Sequence, residues 1–294
     1  MEELYDIHTH LWIQKNNLYN DNFFPRKLQI QELINSYNWL IQKIVTFPMP
    51  WTNINSSESI PYEVENIYLI QEIDRWNFNN IILPFISIHP RINVTEQLEV
   101  IVRLMRITKI YWLKFHTLDT LSYIDNFFKN DEIINFCKQY KLPILIHSAN
   151  FDWFENCNNI FHFAEKYKDI NILIAHMMWF SNIFFERLKN YKYWNLFFDC
   201  SPFLWMCKMY ETYKNENCLN LNYANPKDVL LFLYKNFPNR LICGSDQPFW
   251  KFNIDSDNYV DFSINDELKL LFWLQEKIIS QIANKNSKNF LWIK

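Results

Sequence analysis

Eight short apolar runs recur along the chain, at residues 4–7, 43–47, 81–88, 110–115, 143–146, 170–175, 196–198 and 240–243. They are rich in β-branched and aromatic residues and apolar on both faces, which is how a parallel strand covered on either side reads. Longer segments with helical periodicity lie between them, at 62–76, 94–107, 131–140, 158–167, 226–236 and 266–283. Asn93 stands where it would cap one of these, with Glu96 in the first turn, and Pro226 suits a first helical turn behind an Asn225 cap. Eight alternations of strand and helix predict an α/β fold, a closed (β/α)8 TIM barrel rather than an open sheet. With no internal repeat and no low-complexity linker, residues 1–294 are expected to form a single domain. The segment 200–225 reads as a long loop after the seventh strand.

The chain contains one glycine, Gly244. A phosphate-cradling loop or a dinucleotide fingerprint needs several, so both are excluded. Asn and Asp are expected to supply most left-handed positions instead. The net charge of -3, mixed along the sequence, speaks against a nucleic-acid partner. No stretch approaches 18 uninterrupted apolar residues and no basic-then-apolar segment opens the chain, so neither a membrane span nor a signal peptide is expected. The six cysteines form no CxxC pair and read as buried thiols of a cytoplasmic protein.

Six of the seven histidines sit at or beside strand ends. His8 and His10 end strand one, His89 strand three, His116 strand four, His147 strand five and His176 strand six, while Asp246 follows strand eight. In a barrel the C-terminal strand ends share one rim, where active sites are built. Residues i and i+2 of a strand point the same way, so His8 and His10 can reach one ion together.

These motifs carry a resemblance. Asp6-Ile7-His8-Thr9-His10, Pro143-Ile144-Leu145-Ile146-His147-Ser148, Asn171-Ile172-Leu173-Ile174-Ala175-His176 and Cys243-Gly244-Ser245-Asp246-Gln247-Pro248 resemble the first, fifth, sixth and eighth strand motifs of the amidohydrolase superfamily. The stretch 282–286 is similar to the closing helix region of its amidohydrolase-related branch, which includes aminocarboxymuconate-semialdehyde decarboxylase; the resemblance runs from residue 5 to about residue 291. It implies one divalent metal, with zinc the expected ion, held by His8, His10, His147 and Asp246. His176 matches the histidine that orients or deprotonates the attacking water, and Asp246 the base that receives its proton. A second metal is the alternative, with Lys114 carboxylated as the bridge and His147 and His176 on the second ion. Related barrel nucleases carry a glutamate where Lys114 stands.

Other residues keep two readings. Lys114 either neutralises an anionic substrate or pairs with an acid; His116 contacts substrate or supports a neighbour. Arg91 holds a substrate carboxylate or is a solvated loop charge. His89 reads as structural, His162 as a partly buried helix residue, and Asp199 as an orienting group or a loop cap. Trp12, Trp51, Trp153, Trp179, Trp205 and Trp250 each follow a strand and would line an apolar rim. The expected function is metal-dependent hydrolysis of an amide, lactone or ester in a small-molecule substrate. The alternatives are non-oxidative decarboxylation of a small carboxylic acid and a catalytically inactive barrel that binds. A homo-oligomer is left open.

Overall fold

The computed structural model describes residues 2–11, 30–37, 40–50, 52–148, 157–213, 216–247, 251–253, 259–261 and 264–293. One sheet holds eight parallel strands in chain order: β1 (Tyr5–Leu11), β2 (Lys43–Pro48), β3 (Ile82–Ser87), β4 (Trp112–Phe115), β5 (Ile144–Ile146), β6 (Ile172–Ile174), β7 (Leu196–Asp199) and β8 (Leu241–Ile242). Each falls on one of the eight apolar runs. The cylinder closes through backbone bonds between β1 and the chain just past β8: Ile7 N to Cys243 O (3.0 Å), Asp246 N to His8 O (2.7 Å) and His10 N to Gln247 O (2.7 Å). The fold is a (β/α)8 barrel.

Twelve α-helices lie among the described residues: α1 (Ile30–Ser36), α2 (Glu63–Arg75), α3 (Val94–Leu104), α4 (Ile124–Phe128), α5 (Asp131–Tyr140), α6 (Cys157–Lys166), α7 (Asn182–Asn190), α8 (Phe203–Thr212), α9 (Pro226–Asn236), α10 (Ile264–Phe272), α11 (Glu276–Ser280) and α12 (Asn286–Leu291). The segment expected as a loop after β7 therefore contains a helix, α8. The stretch 266–283 is not one helix: a turn at 273–275 lets Leu274 and Ile278 both bury. A π-helical turn, Gln281–Lys285, then gives its Ile282 carbonyl to Cys243 N and replaces a missing ladder partner beside the two-residue β8. A hairpin of β9 (Lys251–Asn253) and β10 (Tyr259–Asp261) was not foreseen.

Among the described residues, two apolar clusters fill the fold. The larger packs the outer faces of the strands against the helices. The smaller is the barrel interior: Tyr5, Ile7, Val45, Phe85, Trp112, Leu145, Leu173 and Phe197, with Phe290 and Leu291 of α12. Asn171, just before β6, donates to Asn289 O and Phe290 O, which places α12 as a plug at the N-terminal mouth.

Two expectations about turns fail. Of the twelve non-glycine residues with positive φ among the described residues, only Asn77, Asn93 and Asp246 are Asn or Asp; five of the rest, His176 to Phe180, form one continuous turn held by tertiary hydrogen bonds. Asn93 and Asn225 precede their helices without a side-chain cap; Asn93 bonds to Ser57 O and Ser59 O instead, and Asn225 to the Asp228 carboxylate. Five of the six cysteines are buried. No described helix is long and apolar enough to cross a membrane.

Candidate functional site

β1 delivers its two histidines through a bulge. The β1–β2 register jumps between Asp6↔Ile44 and Thr9↔Thr46, so β1 spans three residues where β2 spans two. Such an insertion re-aims side chains. Ile7 stays in the barrel interior while its neighbour His8 also turns inward, with its ring 5.3 Å from that of Phe47; His10 lies 4.0 Å from the same ring. β8 meets them from the other side. Gly244 passes so close that a Cβ there would stand 3.0 Å from His8 Cβ and 3.1 Å from Ser201 Cβ, so the lone glycine is a close-approach residue. Asp246 follows at φ 57°.

The sixth strand ends differently. From His176 to Phe180 every residue is left-handed, with φ between 47° and 58°. L-residues disfavour this by about 1–2 kcal/mol each, so the turn must be held from outside. Asp199 Oδ1 accepts from His176 N (3.1 Å), Trp179 Nε1 donates to Ser148 O (2.7 Å), and Tyr210 Oη donates to Trp179 O (2.8 Å). Strain of this kind collects at functional sites.

The hydrogen bonds fix which nitrogen carries hydrogen in His8, His176 and His147. Asp199 Oδ2 lies 2.9 Å from His8 Nδ1, so that nitrogen donates and His8 Nε2 is left with a lone pair. The Ser201 carbonyl can only accept, so His176 Nδ1 donates to it (2.6 Å). Neutral His176 then has a lone pair at Nε2, which accepts from His147 Nδ1 at 3.1 Å. His147 is thereby left with its lone pair at Nε2. His147 also stacks on His116 (3.8 Å, 14°). Burial holds His8, His10, His116 and His147 well below the ordinary imidazole range, and His176 is lowered to about 4. All five are the neutral form that binds metals. Lys114, wholly buried with Nζ 4.4 Å from the Phe47 ring centroid, adds to the depression in each case.

Asp246 Oδ1 stands 2.8 Å from His10 Nε2 and 3.3 Å from His8 Nε2. His8 Nε2 is buried and has no hydrogen-bond partner among the described residues. Donors held roughly 2 Å from one zinc-sized ion lie about 3 Å apart, so these three atoms have the spacing of ligands. Burial pushes the Asp246 carboxyl well above its usual range, with Lys114 opposing; a cation at this point would restore the carboxylate. The residues present fit a divalent metal.

Of the expected ligands, His8, His10 and Asp246 converge. His147 lies one step aside, against His176, and belongs to no three-donor group among the described residues; a second such group is His8, His176 and Asp199. In that group, however, Asp199 and His8 Nδ1 already bond to each other. His116 accepts from Asp119 N (3.2 Å) and lies 3.5 Å from its carboxylate, which burial raises to about 7. Arg91 is exposed and bonds to Ser122 Oγ (3.0 Å) and Leu121 O (3.1 Å), which ties it to the loop after β4. His89 is structural: its Nδ1 accepts from Arg91 N, and its backbone is bracketed by Gln97. His162 is exposed on α6, not partly buried. Trp179 and Trp205 meet edge to face, with centroids 5.9 Å apart; Trp12, Trp51, Trp153 and Trp250 lie outside the described residues.

Asp199, expected either to orient a ligand or to cap the following loop, bonds to His8 Nδ1 and accepts from Ser201 N. Sequence reasoning missed Ser201, Asp119 and Asp6. Asp6 accepts from Tyr37 Oη (2.5 Å), Ser245 N (3.0 Å) and His8 N (3.1 Å), pinning β1 to β8. Its place in the Asp-x-His-x-His motif was the available signal.

No protein-family model matches the sequence, and no curated protein does. Solved structures do match. One is a "probable 2-pyrone-4,6-dicarboxylic acid hydrolase" from Acinetobacter baumannii with citric acid bound (TM-score 0.62, 10% identity, 99% of each chain covered). Another is a 2,6-dihydroxybenzoate decarboxylase from Rhizobium (TM-score 0.61, 11% identity, 100% of this chain and 99% of that one). A third is a 5-carboxyvanillate decarboxylase from Novosphingobium aromaticivorans with bound manganese (TM-score 0.59, 12% identity, 90% and 82%). At such identities the likeness establishes the fold alone, the (β/α)8 barrel.

Proposed function

We propose that the chain is a metal-dependent enzyme of the amidohydrolase-related type, which hydrolyses a lactone, ester or amide bond in a small anionic substrate. The observation that carries this is the convergence of His8 Nε2, His10 Nε2 and Asp246 Oδ1 within ligand spacing at the C-terminal mouth of the barrel. His147, which stands one step outside that group, would become the fourth donor by moving toward it, through Nε2, the atom its bond to His176 leaves available. The ion is divalent: zinc suits the imidazole and carboxylate donors, and manganese stands in one structural relative. When bound it would polarise a substrate carbonyl and lower the pKa of water toward about 7.

The chain's own groups do the rest. The contacts of Asp246 to the two histidines use Oδ1, which leaves Oδ2 to take a proton from the attacking water and return it to the leaving group. His176 is anchored at Nδ1 by the Ser201 carbonyl, so Nε2 is the only ring atom with which it can accept a hydrogen bond or a proton. Wholly buried Lys114 suits an anionic substrate group, and the His116 ring stacks on that of His147.

Decarboxylation is the second reading. Two relatives by structure act on carboxylated aromatic rings, and the same donors would serve. The test is direct. Chelator-treated protein is titrated with zinc or manganese, and turnover of lactones, esters and aromatic carboxylic acids is followed by acid release and by trapped carbon dioxide. One tight site per chain, lost in His10→Ala, is expected, with acid release and no carbon dioxide. Carbon dioxide as the product assigns the second reading; a wild-type chain that takes up no ion rejects both.

A further inference from the structure

We propose that Asp199 is the positioning residue that sets the tautomer of His8, and so decides whether His8 Nε2 offers a lone pair to a cation. The inference deepens the metal reading and rests on it for its last clause. The two carboxylate oxygens of Asp199 have separate duties. Oδ1 accepts three hydrogens, from His176 N (3.1 Å), Ser201 N (3.0 Å) and Ser201 Oγ (2.6 Å). Among the described residues, Oδ2 faces His8 Nδ1 alone, at 2.9 Å. Ser201 Oγ is also 3.0 Å from His8 Nδ1, and since its own hydrogen points to Asp199 it too can only accept there. Both neighbours of His8 Nδ1 are therefore acceptors, and the nitrogen must carry the hydrogen. A metal-binding imidazole commonly gives its far N–H to a carboxylate in this way.

The asymmetry makes a sharp prediction for Asp199→Asn. The amide keeps the shape of the carboxylate but has one oxygen and one NH2. Three donors already point at the Oδ1 position, two of them backbone N–H groups, so the amide oxygen must stay there. The NH2 then faces His8 Nδ1 and turns that nitrogen into an acceptor. The ring hydrogen moves to Nε2 and blocks the metal-facing lone pair. The bond to His176 N survives, so the left-handed turn keeps its clasp and the tautomer change is separated from loss of structure.

The experiment uses histidine-selective 15N labelling of the full-length chain. Two-bond couplings read the His8 tautomer in the metal-free protein, and zinc is then titrated alone. The wild type is expected to show His8 with hydrogen on Nδ1. Asp199→Asn is expected to show it on Nε2 and to bind zinc about 100-fold more weakly, the upper end of what an outer partner contributes. Hydrogen on Nε2 in the wild type overturns the proposal even if the variant does not fold. So does a variant that keeps the Nδ1 tautomer and wild-type affinity. A tautomer switch in a chain whose wild type binds no zinc supports the control exerted by Asp199 and removes the metal reading instead.

Discussion

At the N-terminal mouth of the barrel, Tyr5, Ile7, Phe85, Trp112 and Phe197 close against Phe290 and Leu291 of α12 in an apolar plug. At the other end of the same strands, His8, His10, His176, Asp199, Asp246 and Lys114 are buried at 6% exposure or less. The changeover happens between adjacent residues, Ile7 and His8, at the β1 bulge. The plug gathers apolar area with no polar atom to satisfy beyond the Trp and Tyr tips. The rim buries charge, holds five left-handed residues in a row and leaves His8 Nε2 without a hydrogen bond among the described residues. The contrast teaches that packing at one end supports costly geometry at the other, the usual division of labour in this fold.

Substitutions at the two ends should separate the two properties. The largest effect is expected at the rim. His8→Ala combined with His10→Ala should remove bound metal and lower kcat/KM by roughly 10³-fold, the several kcal/mol that a catalytic ion supplies. Metal analysis and steady-state kinetics read this, with little change in the melting temperature of the metal-free protein. The floor should show the reverse. Trp112→Ala or Phe290→Ala should cost about 3–5 kcal/mol in denaturant unfolding, as for large core aromatics, with metal per folded chain unchanged. A floor variant that loses metal while folded would erase the distinction.

Gly244→Ala tests the junction. Its Cβ would press on His8 and Ser201 at 3.0 and 3.1 Å. A loss of about 1–3 kcal/mol is expected, with weaker metal binding because His8 is the residue that must shift. The smallest effect belongs to His89, a rim histidine with a structural duty. Burial, with Arg91 adding, lowers it to about 4. The unfolded chain takes up a proton near pH 6.5 and the folded one only near pH 4, so the folded state loses stability as pH falls through that window. In His89→Gln the decline between pH 6.5 and 4 should be shallower, seen in melting temperatures across pH, with metal content unchanged. An equal decline in both proteins would mean that His89 is not held neutral by the fold.

Much of this was legible in the sequence. Apolar runs at each strand announce burial on both faces, and six histidines at or beside five strand ends announce a shared rim. The rest depends on partners distant in the chain. The bulge exists only as a register against β2, so the i, i+2 rule explains why His8 and His10 agree but not why Ile7 also faces inward. The left-handed turn carries Met177, Met178 and Trp179, residues with no preference for that conformation, and is imposed by bonds from Asp199, Ser148 and Tyr210. The pairing of His147 with His176 follows from the adjacency of β5 and β6 and the backbone carbonyl of Ser201, neither of which a linear motif displays.

The most direct measurement is anomalous scattering from crystals of protein purified without added metal and collected at the zinc and manganese edges. The account predicts one strong peak about 2 Å from His8 Nε2, His10 Nε2, His147 Nε2 and an Asp246 oxygen. A peak elsewhere in the chain, or none after soaking in either ion, would contradict it.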